Sequence, residues 1–382
     1  MVCKAARVTA QPVQTIGIDA RAASEVPAGR GRVVRELLRA LAERPDDGRR
    51  FLLYAREPWT EVPLDRRFQW RLIRGSDPWW HLRCARAANA ACDVFLSSNS
   101  YLTTWFLTIP AVPIVYDLTT FDRSMRPNRR STVIERATLG TAVRRSAAFI
   151  SISQATADEL IEHFPRASGR TVVALLGTSP VLASPAEEEL RSLPEPGFVL
   201  AVGTLEPRKN LPRLVDAYRS LPQATQERHP LVAVGALGWE TGPTLDALRS
   251  LGERCRLLGY VSDGTLGELY RRCAVFCYPS LGEGFGLPVL EAMAAGAPVV
   301  TSNISSLPEV GGDAVEYVEP EDVASIAAGL ARVLDDDSRR RELSDRGRAR
   351  AEEFSWQRFT EVVLDTLDGV ARKRPGGAGE AA

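Results

Sequence analysis

Two carboxylates and two cations stand out for the company they keep. Between Pro279 and Asn303 the chain reads PSLGEGFGLPVLEAMAAGAPVVTSN, with Gly282, Gly284 and Gly286 alternating and Pro288 just after them. Proline suits the first position of a helix, where its missing N–H costs nothing. A glycine-rich turn feeding such a helix leaves backbone N–H groups unpaired and aims the positive end of the helix dipole outward. Together these bind phosphate. Glu283 stands just before this cradle, and Glu291 lies about one turn into the helix. A carboxylate repels phosphate, but it accepts hydrogen bonds from sugar and ribose hydroxyls. Each glutamate alone has a plainer reading: Glu291 as a residue that favours the helix dipole, Glu283 as a loop acid. A second stretch, GTLEPRKN from Gly203 and Thr204 to Asn210, carries Arg208 and Lys209 side by side. Two adjacent cations neutralise a leaving diphosphate, or form a solvated basic pair.

These residues need elements to hold them. Short β-rich runs alternate with amphipathic stretches: TIGID (Thr15–Asp19), FLLYA (Phe51–Ala55), VFLSS (Val94–Ser98), VPIVYD (Val112–Asp117), AAFISIS (Ala147–Ser153) and TVVALLG (Thr171–Gly177). Ser153 is placed to cap the helix that follows it. After a proline-rich interval the pattern restarts at FVLAVG (Phe198–Gly203) and runs through LVAVG, CRLLGYV, AVFCYPS, PVVTSN and AVEYV. Strand–helix alternation in two runs predicts two doubly wound, Rossmann-like α/β domains. Continuously apolar strands fit parallel sheets covered on both faces. The expected organisation is a disordered extension at residues 1–14, a first domain at 15–180, a linker at 181–196, a second domain at 197–355, a helix at 356–370 and a disordered tail at 371–382.

The strings GTLEPRKN, EGFGLPVLEAMAAGAPVV and the following SSLPEV resemble the retaining glycosyltransferases of family 4, which have the GT-B fold; Glu283 and Glu291 reproduce that family's Glu-x7-Glu spacing. The resemblance runs from Ile16 to about Val363. It implies that Glu283 touches donor-sugar hydroxyls and Glu291 the ribose, while Arg208 and Lys209 hold the diphosphate with the backbone N–H groups of Phe285, Gly286 and Leu287. Gly203 and Thr204 would line the donor site, and Val261 in LLGYVSD would meet the base. The helix FSWQRFTEVVLDTL would cross back to the first domain. PAGRGRVVREL is similar to the family's glycine loop, which places Gly29 and Gly31 near the diphosphate or acceptor. Where relatives read HDL this chain reads Tyr116-Asp117-Leu118, a departure that exchanges an imidazole beside the donor sugar for a phenol. The implied reaction is a front-face displacement that needs no metal or other cofactor. GDP-mannose is the favoured donor, with UDP- and dTDP-sugars open, and the acceptor is a glycan, a lipid-linked glycan or a small molecule. The alternative is a partner subunit or decayed homologue that binds a nucleotide sugar without transferring it.

Composition narrows the remaining classes. Lys+Arg and Asp+Glu balance at 48 each, so no net charge draws the chain to nucleic acid. The six cysteines show no CxxC, which fits buried free thiols in a reducing compartment. No apolar run reads as a signal peptide or a spanning helix, so the expectation is a cytoplasmic protein, with peripheral contact at the inner membrane face as an added reading. Asp335-Asp336-Asp337 contains a D-x-D, read here as a solvated, helix-capping loop rather than a metal site. RSMRPNRR (Arg123–Arg130) is a solvated loop, or a face for an anionic acceptor or membrane. DPWWHL (Asp77–Leu82) is core packing or an acceptor platform.

Overall fold

A computed structural model describes residues 14–26, 29–118, 121, 129–178, 190 and 193–372. Residues 1–13 and 373–382, most of the 181–196 stretch and Arg123–Asn128 lie outside them.

The expected doubly wound α/β architecture is present twice. The first sheet contains β1 (Thr15–Asp19), β2 (Arg50–Ala55), β3 (Phe68–Leu72), β4 (Val94–Ser97), β5 (Ala111–Val115), β6 (Phe149–Ser151) and β7 (Thr171–Val173), in the order β3-β2-β1-β4-β5-β6-β7. The second contains β8 (Val199–Val202), β9 (Leu231–Val234), β10 (Cys255–Leu257), β11 (Val275–Tyr278), β12 (Val299–Ser302) and β13 (Glu316–Val318), in the order β10-β9-β8-β11-β12-β13. The strands pair in parallel, as between β8 and β11 and between β11 and β12. In both sheets the winding reverses beside the first strand. Beyond the strand ends at that reversal is where open α/β sheets bind ligands.

Strand β3 is absent from the expected runs. It is an edge strand whose residues alternate between half-buried and exposed, with Arg71 and Leu72 in the open. Its sequence, FQWRL, therefore lacks the continuous apolar character of its neighbours.

By compactness the chain divides into one unit of Met1–Ile114, Thr141–Phe149 and Leu364–Ala382, and another of Val115–Gly140 and Ile150–Val363. In the first unit, Trp80, Cys84, Ala85 and Ala88 of the helix Trp79–Ala91 pack with Leu52, Tyr54 and Phe95. The Trp-rich segment is thus divided by helix phase: Trp80 is wholly buried, whereas Trp79 is 62% exposed. Arg21 lays its guanidinium over the Trp80 ring at 3.7 Å and forks onto Asp19 at 3.1 and 3.0 Å. Asp368, on the helix Trp356–Arg372, accepts from Arg49 at 2.6 Å. That helix runs two residues past the expected limit of 370.

In the second unit, strands β8, β9, β11 and β12 are almost wholly buried. The helix Leu211–Arg219 supplies Leu214, Val215 and Tyr218 to their core, and the helix Val323–Leu334 supplies Ile326, Leu330 and Val333. Each such aliphatic side chain contributes about 1.5–3 kcal/mol relative to exposure. Ser153 caps the helix Gln154–His163 as its sequence implies, accepting from Thr156 N at 3.1 Å. The D-x-D proves to be capping: Asp336 Oδ1 accepts from the N–H groups of Ser338 and Arg339 at 2.8 and 3.0 Å. Cys84, Cys92, Cys273 and Cys277 are buried free thiols, and Cys255 is half-buried.

Candidate functional site

The ends of β8 and β11 lie side by side, and the two informative stretches leave from them. After Val202 the chain turns through Gly203, at φ 144°, and passes over Gly235 so closely that a Cβ at 235 would sit 1.9 Å from the Gly203 carbonyl oxygen. A short 3-10 turn, Pro207–Lys209, then ends on Asn210 in the left-handed region at φ 60°. The Asn210 side chain fixes that turn by donating to the carbonyls of Pro279 and Pro320 at 2.9 and 2.6 Å. Leu281 N donates to Arg208 O at 2.9 Å, joining the turn to the glycine-rich loop.

This junction brings Arg208, Lys209 and Glu283 together. Glu283 Oε2 accepts from Arg208 at 2.5 Å, and Glu283 Oε1 accepts from Lys209 Nζ at 2.6 Å. Two residues that the sequence reading did not single out complete the shell. Tyr278 donates its hydroxyl to Glu283 Oε1 at 2.8 Å while accepting from Lys209 at 2.6 Å, and Ser280 Oγ donates to the same carboxylate oxygen at 2.5 Å. Arg208 is further held by Glu206 at 2.7 Å and by the Gly282 carbonyl at 2.7 Å. Burial pushes the Glu283 carboxyl upward, but Lys209 and Arg208 outweigh it and bring the group down to about 2. Burial, followed by the charge of Glu283, holds the Tyr278 phenol well above its ordinary range. Tyr278 and Ser280 are hard to find in sequence, because AVFCYPS reads as an apolar strand. The available signal was a pair of hydroxyls at the strand's C-terminal end.

The glycine-rich loop leads directly into a helix. Gly286, at φ 102°, precedes the helix Leu287–Ala295, with Pro288 in its first turn. Among the described residues nothing accepts from the backbone N–H groups of Phe285, Gly286 and Leu287. The Phe285 ring is buried edge-on against Phe354 at 6.0 Å. Glu283 N donates to Ser305 Oγ at 2.9 Å, and Glu283 O accepts from Ser306 Oγ at 2.9 Å. Glu291 lies one turn into the helix, 7% exposed, with the Tyr270 hydroxyl 3.4 Å from its Oε2. Tyr270 reaches it from the neighbouring helix Asp263–Arg272.

Tyr116 and Asp117 meet the loop through their backbone. A Cβ at Gly284 would sit 1.7 Å from the Tyr116 carbonyl oxygen and 3.1 Å from the Asp117 Cβ, so only glycine fits there. Asp117 also favours the charge on Arg208. The Gly284 carbonyl accepts from Ser153 Oγ and Thr156 Oγ1 at 2.7 and 3.1 Å, and the Glu309 carboxylate accepts from Gln154 N at 2.9 and 2.8 Å. Val261 is half-buried between β10 and the helix Asp263–Arg272, next to the capping Ser262. Thr204 is exposed directly after Gly203. Gly29 and Gly31 belong to the first unit. Gly29 is the exposed residue before the helix Arg30–Glu43, at φ 56°, and a Cβ at Gly31 would meet Val26 O at 1.8 Å. Among the described residues there is no group of three or more His, Cys, Asp or Glu side chains placed to hold a metal ion. No helix of those residues is long and apolar enough to cross a membrane.

Comparison with known proteins agrees with this geometry. The profile of the group 1 glycosyl transferases matches residues 185–350. The chain is similar to O-antigen chain mannosyltransferase B of Escherichia coli, 39% identical over 268 residues that make up 67% of this chain and 69% of that one. It is also similar to the serotype-specific mannosyltransferase WbdA of Escherichia coli, 35% identical over 236 residues, a match covering 58% of this chain and 28% of WbdA. Among solved structures, Anabaena HepE in complex with UDP and glucose superposes with a TM-score of 0.72 at 18% identity, covering 93% of this chain and 99% of that one.

Proposed function

We propose a reaction for this chain, which belongs to the group 1 glycosyl transferases and is a glycosyltransferase of GT-B fold: transfer of a mannosyl group from GDP-mannose to a glycan, lipid-linked or small-molecule acceptor, with retention at the anomeric carbon. The observation that carries this reading is the convergence of Arg208 and Lys209 on Glu283, just before a helix start where, among the described residues, nothing accepts from the N–H groups of Phe285, Gly286 and Leu287. The mannosyl choice rests on the mannosyltransferase relatives. UDP- and dTDP-sugars are the competing donors, and HepE's complex with UDP and glucose keeps the first of these in view.

In this mechanism the donor diphosphate displaces Glu283 from Arg208 and Lys209 and takes further hydrogen bonds from the N–H groups of Phe285, Gly286 and Leu287. As the bond from the anomeric carbon to the diphosphate breaks, charge builds on the phosphate, and these preorganised groups stabilise it. The acceptor hydroxyl forms its new bond on the same face and gives its proton to the departing phosphate. Glu283, released from the cations, faces the sugar as it gains positive charge. Glu291 holds the ribose and Val261 meets the base, while Tyr116 stands at the position where the family's imidazole lies beside the donor sugar. No metal has a part in these steps.

The test is a transfer assay with radiolabelled GDP-mannose, UDP-glucose and a dTDP-sugar, each with and without EDTA. The expected result is fastest turnover of GDP-mannose, unchanged by the chelator. Activity that vanishes with EDTA and returns with Mg²⁺ would overturn the metal-free mechanism. Glu291→Gln supplies a second check. The ribose does not change during the reaction, so a contact to it stabilises ground and transition states equally. The expected outcome is a donor KM about tenfold higher for each 1.4 kcal/mol lost, with kcat unaltered.

Buried thiols fit the cytoplasm, the compartment we propose. Peripheral contact with a membrane through Arg123–Arg130 is part of the same proposal, and most of that stretch lies outside the described residues.

A further inference from the structure

Binding a diphosphate at Arg208 and Lys209 raises a difficulty for Glu283. Its carboxylate is 9% exposed and shares both cations with any incoming phosphate. A buried charged group stripped of its partners costs more than an unsatisfied neutral one. Some group other than the two cations has to keep it ionised and aimed.

Resting on the reading of the site above, we propose that Tyr278 and Ser280 are positioning residues that hold Glu283 Oε1 once Arg208 and Lys209 have passed to the donor, leaving Oε2 free for the sugar. The hydrogen-bond directions support this. Tyr278 accepts from Lys209 but donates to Glu283, so departure of the ammonium leaves the O–H of Tyr278 donating to a carboxylate that stays ionised. Ser280 donates to the same oxygen. Oε2 accepts from Arg208, which is one of the two cations that leave. Both hydroxyls also sit on rigid backbone. Thr301 Oγ1 donates to Tyr278 O at 2.9 Å, Ser302 Oγ donates to Ser280 O at 2.7 Å, and the Tyr278 ring stacks on Phe276 at 5.6 Å. The cations, in contrast, reach the carboxylate on long side chains from a 3-10 turn.

The charged and titratable groups around Glu283 are few. Arg208 and Lys209 face it from the turn, with Glu206 behind Arg208. Asp117 acts on Arg208 from the segment after β5, and Tyr270, hydrogen-bonded to Glu291, lies behind Tyr278. Once Arg208 and Lys209 have passed to the donor, none of the others among the described residues donates to Oε1.

The experiment uses Tyr278→Phe, Ser280→Ala and Ser280→Thr in the full chain. With GDP-mannose, the first two variants are expected to lose about tenfold in kcat, equivalent to about 1.4 kcal/mol, at unchanged donor KM. Removing a donor from a carboxylate raises its pKa, so the acid limb of kcat should move to higher pH, and Ser280→Thr should restore it. Glu283 is followed independently by carbon-13 NMR of its carboxyl through a pH titration, with and without pyrophosphate. Pyrophosphate should raise its pKa in the wild type and raise it further in both loss variants. A kcat that falls with an unmoved acid limb, or a donor KM that rises alone, would overturn the assignment. So would a Glu283 titration indifferent to pyrophosphate. Failure of wild-type transfer with every nucleotide sugar, alongside the expected NMR response, would sink the proposed reaction and leave the positioning role standing.

Discussion

Glu283→Gln is expected to lower kcat by at least about 10²-fold, in the range seen when an electrostatic stabiliser is removed, and to leave the donor KM no higher than wild type. The amide keeps the shape of the side chain but not its charge. That charge matters most when the sugar flattens and becomes positive, and an interaction stronger in the transition state than in the ground state appears in kcat. The KM expectation comes from the donor-free site, where the carboxylate occupies Arg208 and Lys209 at 2.5 and 2.6 Å. Removing it removes the diphosphate's competitor. Steady-state kinetics, after circular dichroism establishes folding, gives the answer. A variant that changes only KM would make Glu283 a binding residue, and one that changes nothing would mean the donor binds elsewhere.

Arg208→Ala should show in both stability and rate. Breaking one side of a buried ion pair costs about 3–5 kcal/mol, and because Glu283 keeps Lys209 at 2.6 Å the low end of that range applies. Urea unfolding should report a loss of that order at neutral pH. The same substitution in a Glu283→Gln background should cost much less, since no stranded carboxylate remains; equal costs in the two backgrounds would show that the pair is not coupled. The pH dependence has a definite sign. Glu283 has its folded pKa depressed to about 2, so its contribution is present above the ordinary carboxylate value and is lost as pH falls toward about 2. The gap between wild type and Arg208→Ala should close over that interval. Transfer should fall about 10²–10³-fold, as it does when a group stabilising developing anionic charge is removed.

The parts of this site that were legible in sequence are those with local signatures. Gly286 before Leu-Pro marks a helix start, and the alternating apolar runs imply where the strands end, so Arg208, Lys209 and Glu283 could be placed at one sheet edge from spacing alone. Tyr278 was not legible, because a tyrosine closing an apolar strand looks like core, and burial does hide its ring. Asn210 reads as one more loop residue until its amide is seen spanning Pro279 and Pro320. The two tryptophans at 79 and 80 could not be told apart because adjacent helical residues point in different directions, and only the helix phase decides which is buried. Strand β3 was missed because an edge strand does not need the apolar sequence of a central one. Gly284 shows the limit most plainly. Its neighbours in sequence suggest a flexible turn, but the constraint comes from a carbonyl at Tyr116, a position no local pattern connects to it.

The close fit of Gly284 to residues 116–117, with its carbonyl received by Ser153 and Thr156, bears on how this enzyme could be recombined with its relatives. A hybrid that borrowed only residues 197–355 from a homologue would import a donor loop shaped for another protein's carbonyl and hydroxyls. The transplantable block is discontinuous: the loop must travel with its seat at 116–117 and with the helix start at 153–156.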